Sequence, residues 1–153
     1  CWGDMATKTL IMTGIIIGRF QVPYLHPGHL NLIATSLREC DKTVILLGTP
    51  SPQHGLDDRN PYGTPHRVRM IKQIFPQVII QVIHDVPSDQ EWSEEVDGFA
   101  GLYENPILYH SRDSFKNHYV GRIPLKEVEA VPGYSGTELR KMDPDLQTLN
   151  KKQ

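Results

Sequence analysis

His26-Pro27-Gly28-His29 places two imidazoles three positions apart around a glycine. Two such rings can face a single anion, and the glycine leaves room for that anion close to the backbone. The motif directly follows the apolar run 14–20 and directly precedes a stretch with helical spacing. The free N–H donors and positive dipole end of a helix start therefore fall at the same place. A strand, a glycine-bearing loop and a helix start with two histidines suit the handling of a triphosphate. A zinc site fits less well, because no third ligand stands at helical or hairpin spacing and Cys1 and Cys40 lie elsewhere.

A second constellation is Ser135-Gly136-Thr137 with Arg140. Ser, Gly and Thr ahead of a helix are most often caps. Here two hydroxyls and the helix N–H groups precede an arginine one turn on from Gly136, whose fork matches phosphate oxygens. Together with the histidine turn it would close a two-sided phosphate clamp. Arg67 and Arg69, on one expected helix, are read as a solvated face, with phosphate contact the alternative.

Hydrophobic spacing sets out the elements that must position these residues. Thr13 to Phe20 is a β-branched run bounded by glycines, which predicts a strand buried on both faces. From Gly28 to Cys40, Leu30, Ile33, Ala34 and Leu37 keep helical spacing. Thr43 to Gly48 predicts a second strand, and 49–65 is irregular and rich in Pro, Gly, Asp and Asn. A helix is expected from Pro65 to Phe75, capped by Thr64, and a third strand from Val78 to Val86. Asp89 to Tyr103 reads as a helix opened by Ser88, with Glu91 completing a capping-box pattern. Pro106–Tyr109 and Glu127–Val131 predict the last two strands, and Ser135–Met142 a final helix stopped at Asp143-Pro144.

Alternation of strand and helix predicts an α/β fold: one doubly wound domain with a parallel sheet of about five strands. Ligands of such sheets bind beyond the carboxyl ends of the strands, where His26 and His29 stand. We expect residues 1–12 to be an extension leading into strand one, 13–144 the domain, and 145–153 a polar tail.

At 153 residues, with 39% hydrophobic and 22% charged side chains, the chain has the make-up of an ordinary globular enzyme. A formal charge of −2 gives no bulk attraction to nucleic acid or to an anionic membrane, so any phosphate site must be local. Two cysteines make neither a disulfide framework nor a metal set, which points to a reducing, cytoplasmic setting. No apolar stretch is long enough to span a bilayer, and no secretory leader is expected at the N-terminus.

Gly18-Arg19-Phe20-Gln21, then His26-Pro27-Gly28-His29, then Ser135-Gly136-Thr137-Glu138-Leu139-Arg140 resemble the HxGH nucleotidylyltransferase superfamily. The resemblance runs from strand one to the last helix, with the two phosphate motifs in order and about 110 residues apart. Within the superfamily the opening is similar to nicotinamide mononucleotide (NMN) adenylyltransferases, including the adenylyltransferase half of bifunctional enzymes with an added Nudix domain. At this length no Nudix domain is expected. Asp89 and Trp92 resemble the family's segment whose Trp stacks on nicotinamide, and Tyr109-His110-Ser111-Arg112-Asp113 with Tyr119 resembles its motif after strand four. The chain departs in having four residues, Val22 to Leu25, between Gln21 and His26, where the family usually has two.

The resemblance implies a Rossmann-like nucleotidylyltransferase fold and transfer of the AMP moiety of ATP to the phosphate of NMN, giving NAD and pyrophosphate. It implies that His26, His29 and Arg140 are catalytic. Gly18, Arg19, Phe20, Gln21, Gly28, Ser135, Gly136 and Thr137 would bind nucleotide. Asp89, Trp92 and Asp113 would bind the acceptor, although Trp92 serves equally as a packing residue and Asp113 as a helix cap. Mg²⁺ would be held mainly by the triphosphate and water, with no protein metal ligands. The implied partners are small molecules, and folds of this class often form homo-oligomers. A cytidylyltransferase, an adenylyltransferase acting on phosphopantetheine or FMN, and a non-catalytic nucleotide-binding domain stand as alternatives.

Overall fold

The computed structural model describes residues 10–50, 62–111 and 118–129. Its five strands form one parallel sheet in the order β3-β2-β1-β4-β5: β1 Thr13–Gly18, β2 Lys42–Thr49, β3 Ile79–His84, β4 Pro106–His110 and β5 Leu125–Glu127. Three helices cross between the first four strands: α1 Pro27–Glu39, α2 Thr64–Ile74 and α3 Asp89–Ala100. The strand β1 is central, in register with β2 from Thr13↔Lys42 to Gly18↔Leu47 and with β4 from Thr13↔Pro106 to Ile16↔Tyr109.

Both faces of the sheet are covered, which is why β1 and β2 read as continuous apolar runs rather than alternating ones. On one face Ile16, Ile45, Leu47 and Tyr109 pack with Ile33 of α1 and Ile71 of α2. On the other, Ile15, Ile17, Val44, Leu46 and Leu108 pack with Val96 and Ala100 of α3. Each fully buried Ile or Leu contributes about 1.5–3 kcal/mol of burial. The chain winds outward through β2 and β3, then returns across β1 to β4. The sheet thus has a switch point between β1 and β4, the place at the carboxyl ends where sheets of this kind bind ligands.

Several boundaries differ from expectation for local reasons. β1 ends at Gly18, because Phe20 takes φ 54° and turns the chain out of the sheet. The cap of α2 is Gly63 rather than Thr64, whose hydroxyl instead accepts from the Arg67 guanidinium at 3.3 Å. The last strand among the described residues is Leu125–Glu127, earlier than the expected Glu127–Val131, of which 130 and 131 lie outside the described residues. Its residues are all exposed, so pairing with β4 and not an apolar pattern fixes it. The helix expected at Ser135–Met142 lies outside the described residues. No helix among those described is long and apolar enough to cross a membrane.

Candidate active site

The site grows from the turn between β1 and α1. Gln21 is 4% exposed, and its amide grips the backbone of Tyr62 from both sides. Gln21 Nε2 donates to the Tyr62 carbonyl at 3.1 Å, and the Tyr62 N–H donates to Gln21 Oε1 at 2.9 Å. This tie fixes the loop after β1 against the segment entering α2. The longer stretch Val22 to Leu25 follows; Val22 and Leu25 are buried anchors, and Tyr24 between them is exposed beside the histidine turn.

His26 is the N-cap of α1. Its Nδ1 accepts from the Gly28 N–H at 3.0 Å and the His29 N–H at 3.4 Å. The His26 N–H in turn donates to His29 Nδ1 at 3.4 Å, so two histidines build the reciprocal box usually made by Ser and Glu. The rings stack with centroids 3.7 Å apart and 20° between planes. Gly28 is required by that packing, since a Cβ there would stand 2.8 Å from His26 Cε1.

These bonds assign the protons. Each Nδ1 accepts from a backbone N–H, so each neutral ring carries its hydrogen on Nε2. The result is a pair of Nε2–H donors at the start of a 13-residue helix, joined there by the positive end of its dipole. Burial, and then the neighbouring His26, lower the pKa of His29 to about 3. That of His26 is lowered as well, by burial above all. Both rings are thereby biased toward the neutral form.

Arg19, at the carboxyl end of β1, forms a two-pronged ion pair with Asp85 just past β3, with Nη1 donating to Oδ1 at 3.0 Å. Both partners are more than two-fifths exposed, so the pair is worth little to stability. Arg67 corrects the expectation of a solvated face: it is 1% exposed. Its Nη1 donates to the carbonyls of Arg19 and Gly48 at 2.8 and 2.7 Å, and its Nη2 to Thr49 Oγ1 at 3.2 Å. Arg67 therefore staples the ends of β1 and β2 to the first turn of α2. Across the switch point, buried His110 closes β4.

Asp89 and Trp92 sit at the start of α3. Asp89 pairs with His118 at 3.4 Å, and Trp92 is half-buried with Tyr119 edge-on at 6.5 Å. Tyr119 is hydrogen-bonded to Asp97, and burial first, then that bond, push its hydroxyl up to about 12. The structure thus gathers Gly18, Arg19, Phe20, Gln21, His26, Gly28 and His29 around one turn, with Asp89 and Trp92 on a separate helix. Asp113, Ser135, Gly136, Thr137 and Arg140 lie outside the described residues. Asp85 and Tyr62 were not foreseen, because their partners Arg19 and Gln21 are 66 and 41 positions away in sequence.

A family model described as cytidylyltransferase-like matches residues 15–142. A nicotinamide-nucleotide adenylyltransferase of Methanococcus aeolicus is 32% identical over 138 residues, covering 85% of this chain and 76% of the relative. Another from Methanolobus tindarius is 31% identical over 133 residues, covering 82% and 73%. Among solved structures, a bifunctional NMN adenylyltransferase/ADP ribose pyrophosphatase from Francisella tularensis, complexed with AMP and a manganese ion, shares the fold with a TM-score of 0.68. It is 22% identical, and the match covers 94% of this chain and 49% of that one. With both faces of its parallel sheet covered and a histidine-capped helix at the switch point, the chain belongs to the cytidylyltransferase-like family, in the branch of the nicotinamide-nucleotide adenylyltransferases.

Proposed function

We propose that the chain transfers the AMP moiety of ATP to the phosphate of NMN, forming NAD and releasing pyrophosphate. The observation that carries this reading is the pair of Nε2–H donors made by His26 and His29 at the start of α1. A phosphate oxygen of NMN attacks the α-phosphorus of ATP; the new P–O bond forms as the bond to the β-phosphate oxygen breaks. The electron pair leaves with pyrophosphate. The nucleophile is already an anion, so the reaction needs alignment and charge stabilisation rather than a strong base. Two neutral imidazoles suit that task, since they donate to the oxygens of the α-phosphate and leaving group without themselves losing a proton.

Gly18, Arg19 and Phe20 form the wall on the β1 side of the nucleotide. Gln21 supports it through Tyr62, and Arg19 exchanges Asp85 for phosphate. Ser135, Gly136, Thr137 and Arg140 take the β- and γ-phosphates. Asn31 on α1 donates to the Glu129 carbonyl at 3.5 Å, so the described chain ends beside α1, six positions before Ser135. Asp89, Trp92 and Asp113 receive NMN. The described donors around the turn are nitrogen-rich and suit a hard divalent cation poorly. Mg²⁺ therefore belongs to the substrate MgATP, where it neutralises phosphate charge.

The test is pyrophosphate release from ATP or CTP against NMN, FMN and phosphopantetheine as acceptors. Turnover with ATP and NMN alone is expected. Replacing His29 by Ala should lower that turnover by about two orders of magnitude while the fold survives. Preference for CTP, or for another acceptor, would overturn the reading; an unchanged His29→Ala rate would remove the catalytic role.

A further inference from the structure

We infer that Phe20 is a positioning residue for His29: its ring is the wall that fixes the plane of that imidazole and aims Nε2–H into the site. The inference rests on the adenylyl-transfer reading for its kinetic arm and on geometry alone for its spectroscopic arm.

Phe20 adopts φ 54°, the left-handed region that glycine and asparagine enter easily and a bulky aromatic residue does not. A residue serving only the turn would be one of the former, so the ring must make a contact that offsets the strain. It is 5% exposed and folded back over β1. Its Cε2, Cδ2 and Cζ lie 2.8, 3.2 and 3.4 Å from where a Cβ on Gly18 would stand. The strand therefore ends in a glycine because the Phe20 ring occupies that space.

Next to this ring stands His29, centroid 4.9 Å away at 43°. His29 also stacks on His26 at 3.7 Å, and its Nδ1 is held by the His26 N–H. Phe20, His29 and His26 thus form a row of three rings, stacked at His26 and tilted at Phe20, with His29 in the middle. Its plane is set by the neighbours, its Nδ1 is occupied, and Nε2–H is its remaining donor. The phenyl ring offers no hydrogen bond, so it shields His29 from water without competing for either nitrogen. The burial that keeps His29 neutral is consistent with such a wall. A donor displaced by an ångström loses much of its value to the transition state, about a hundredfold in rate.

Two substitutions separate the ring from the turn. Phe20→Gly relieves the left-handed backbone and removes the ring; Phe20→Leu keeps apolar volume and removes the flat wall. Both are expected to lower kcat about tenfold or more while leaving KM for NMN within about threefold; KM for ATP, whose wall includes Phe20, rises by less than kcat falls. In a His29→Ala background Phe20→Leu should cost no further turnover, since the two residues act as a unit. Without substrates, the Nδ1 and Nε2 nitrogen-15 shifts of His29 should be well separated in the parent protein and converge in Phe20→Leu, as the tautomer loses its fixed setting. Wild-type turnover in either variant, losses that add to those of His29→Ala, or unchanged ring shifts in Phe20→Leu each overturn the inference. Should the parent protein fail to release pyrophosphate from ATP and NMN, the functional reading falls and the ring shifts decide this one.

Discussion

His29 is held neutral by its surroundings, and that has a consequence for stability. The folded ring keeps a pKa near 3, lowered by burial and then by His26, whereas an unfolded chain presents an ordinary imidazole at 6.5. Between those values the unfolded state binds a proton that the folded state does not, so stability rises with pH in this window and falls as pH is lowered through 6.5 toward 3. His26 acts in the same direction. In His29→Gln the contribution of this ring disappears, and the thermal midpoint should drop by a few degrees less than in the parent protein between pH 7.5 and pH 5. Parallel melting profiles for the two proteins would contradict the burial of a neutral His29. The histidine pair itself was legible in the sequence, because spacing and a neighbouring glycine suffice to bring two rings together. The tautomer was not, since it depends on which backbone N–H groups reach each Nδ1 once the helix has formed.

At the scale of the element, His26 does two jobs that substitution can separate. It caps α1 through Nδ1, and in the proposed reaction its Nε2–H would donate to phosphate. Replacement by Ala removes both, and loss of the cap alone costs about 1 kcal/mol. Asparagine restores a capping oxygen without an outward donor. His26→Asn should thus melt close to the parent protein yet turn over as slowly as His26→Ala. Recovery of turnover by asparagine would make the first histidine a structural cap only. Helices and central strands were largely readable because their apolar spacing is dense. The strand β5 was displaced in the reading because Leu-Lys-Glu carries no burial pattern. The early end of β1 was missed because no local rule expects an aromatic residue at a left-handed turn.

For the molecule as a whole, a net charge of −2 must still admit a highly anionic substrate, so the attraction has to be concentrated at the carboxyl end of the sheet. The start of α1 supplies part of it. Arg67 is proposed to supply another, as a buried guanidinium that no carboxylate among the described residues neutralises; its pKa is lowered by burial and then by Arg19. Carbonyls and hydroxyls at the ends of β1 and β2 solvate it instead. Sequence pattern could not separate this arginine from Arg69 two positions on, since both fall on one amphipathic helix and only the sheet ends beneath reveal which is enclosed. Arg67→Lys keeps the charge but loses the fork, and Arg67→Met loses both. Each should destabilise the fold, by about 1–3 kcal/mol for a carbonyl left unpaired. Their effects on substrate should diverge: KM for ATP near the parent value in the lysine variant and raised about tenfold or more in the methionine variant, with the gap narrowing as salt is added. Equal KM values for the two variants at low salt would confine Arg67 to stapling the strands, and would leave α1 and the proposed Arg19 and Arg140 contacts to draw in the triphosphate.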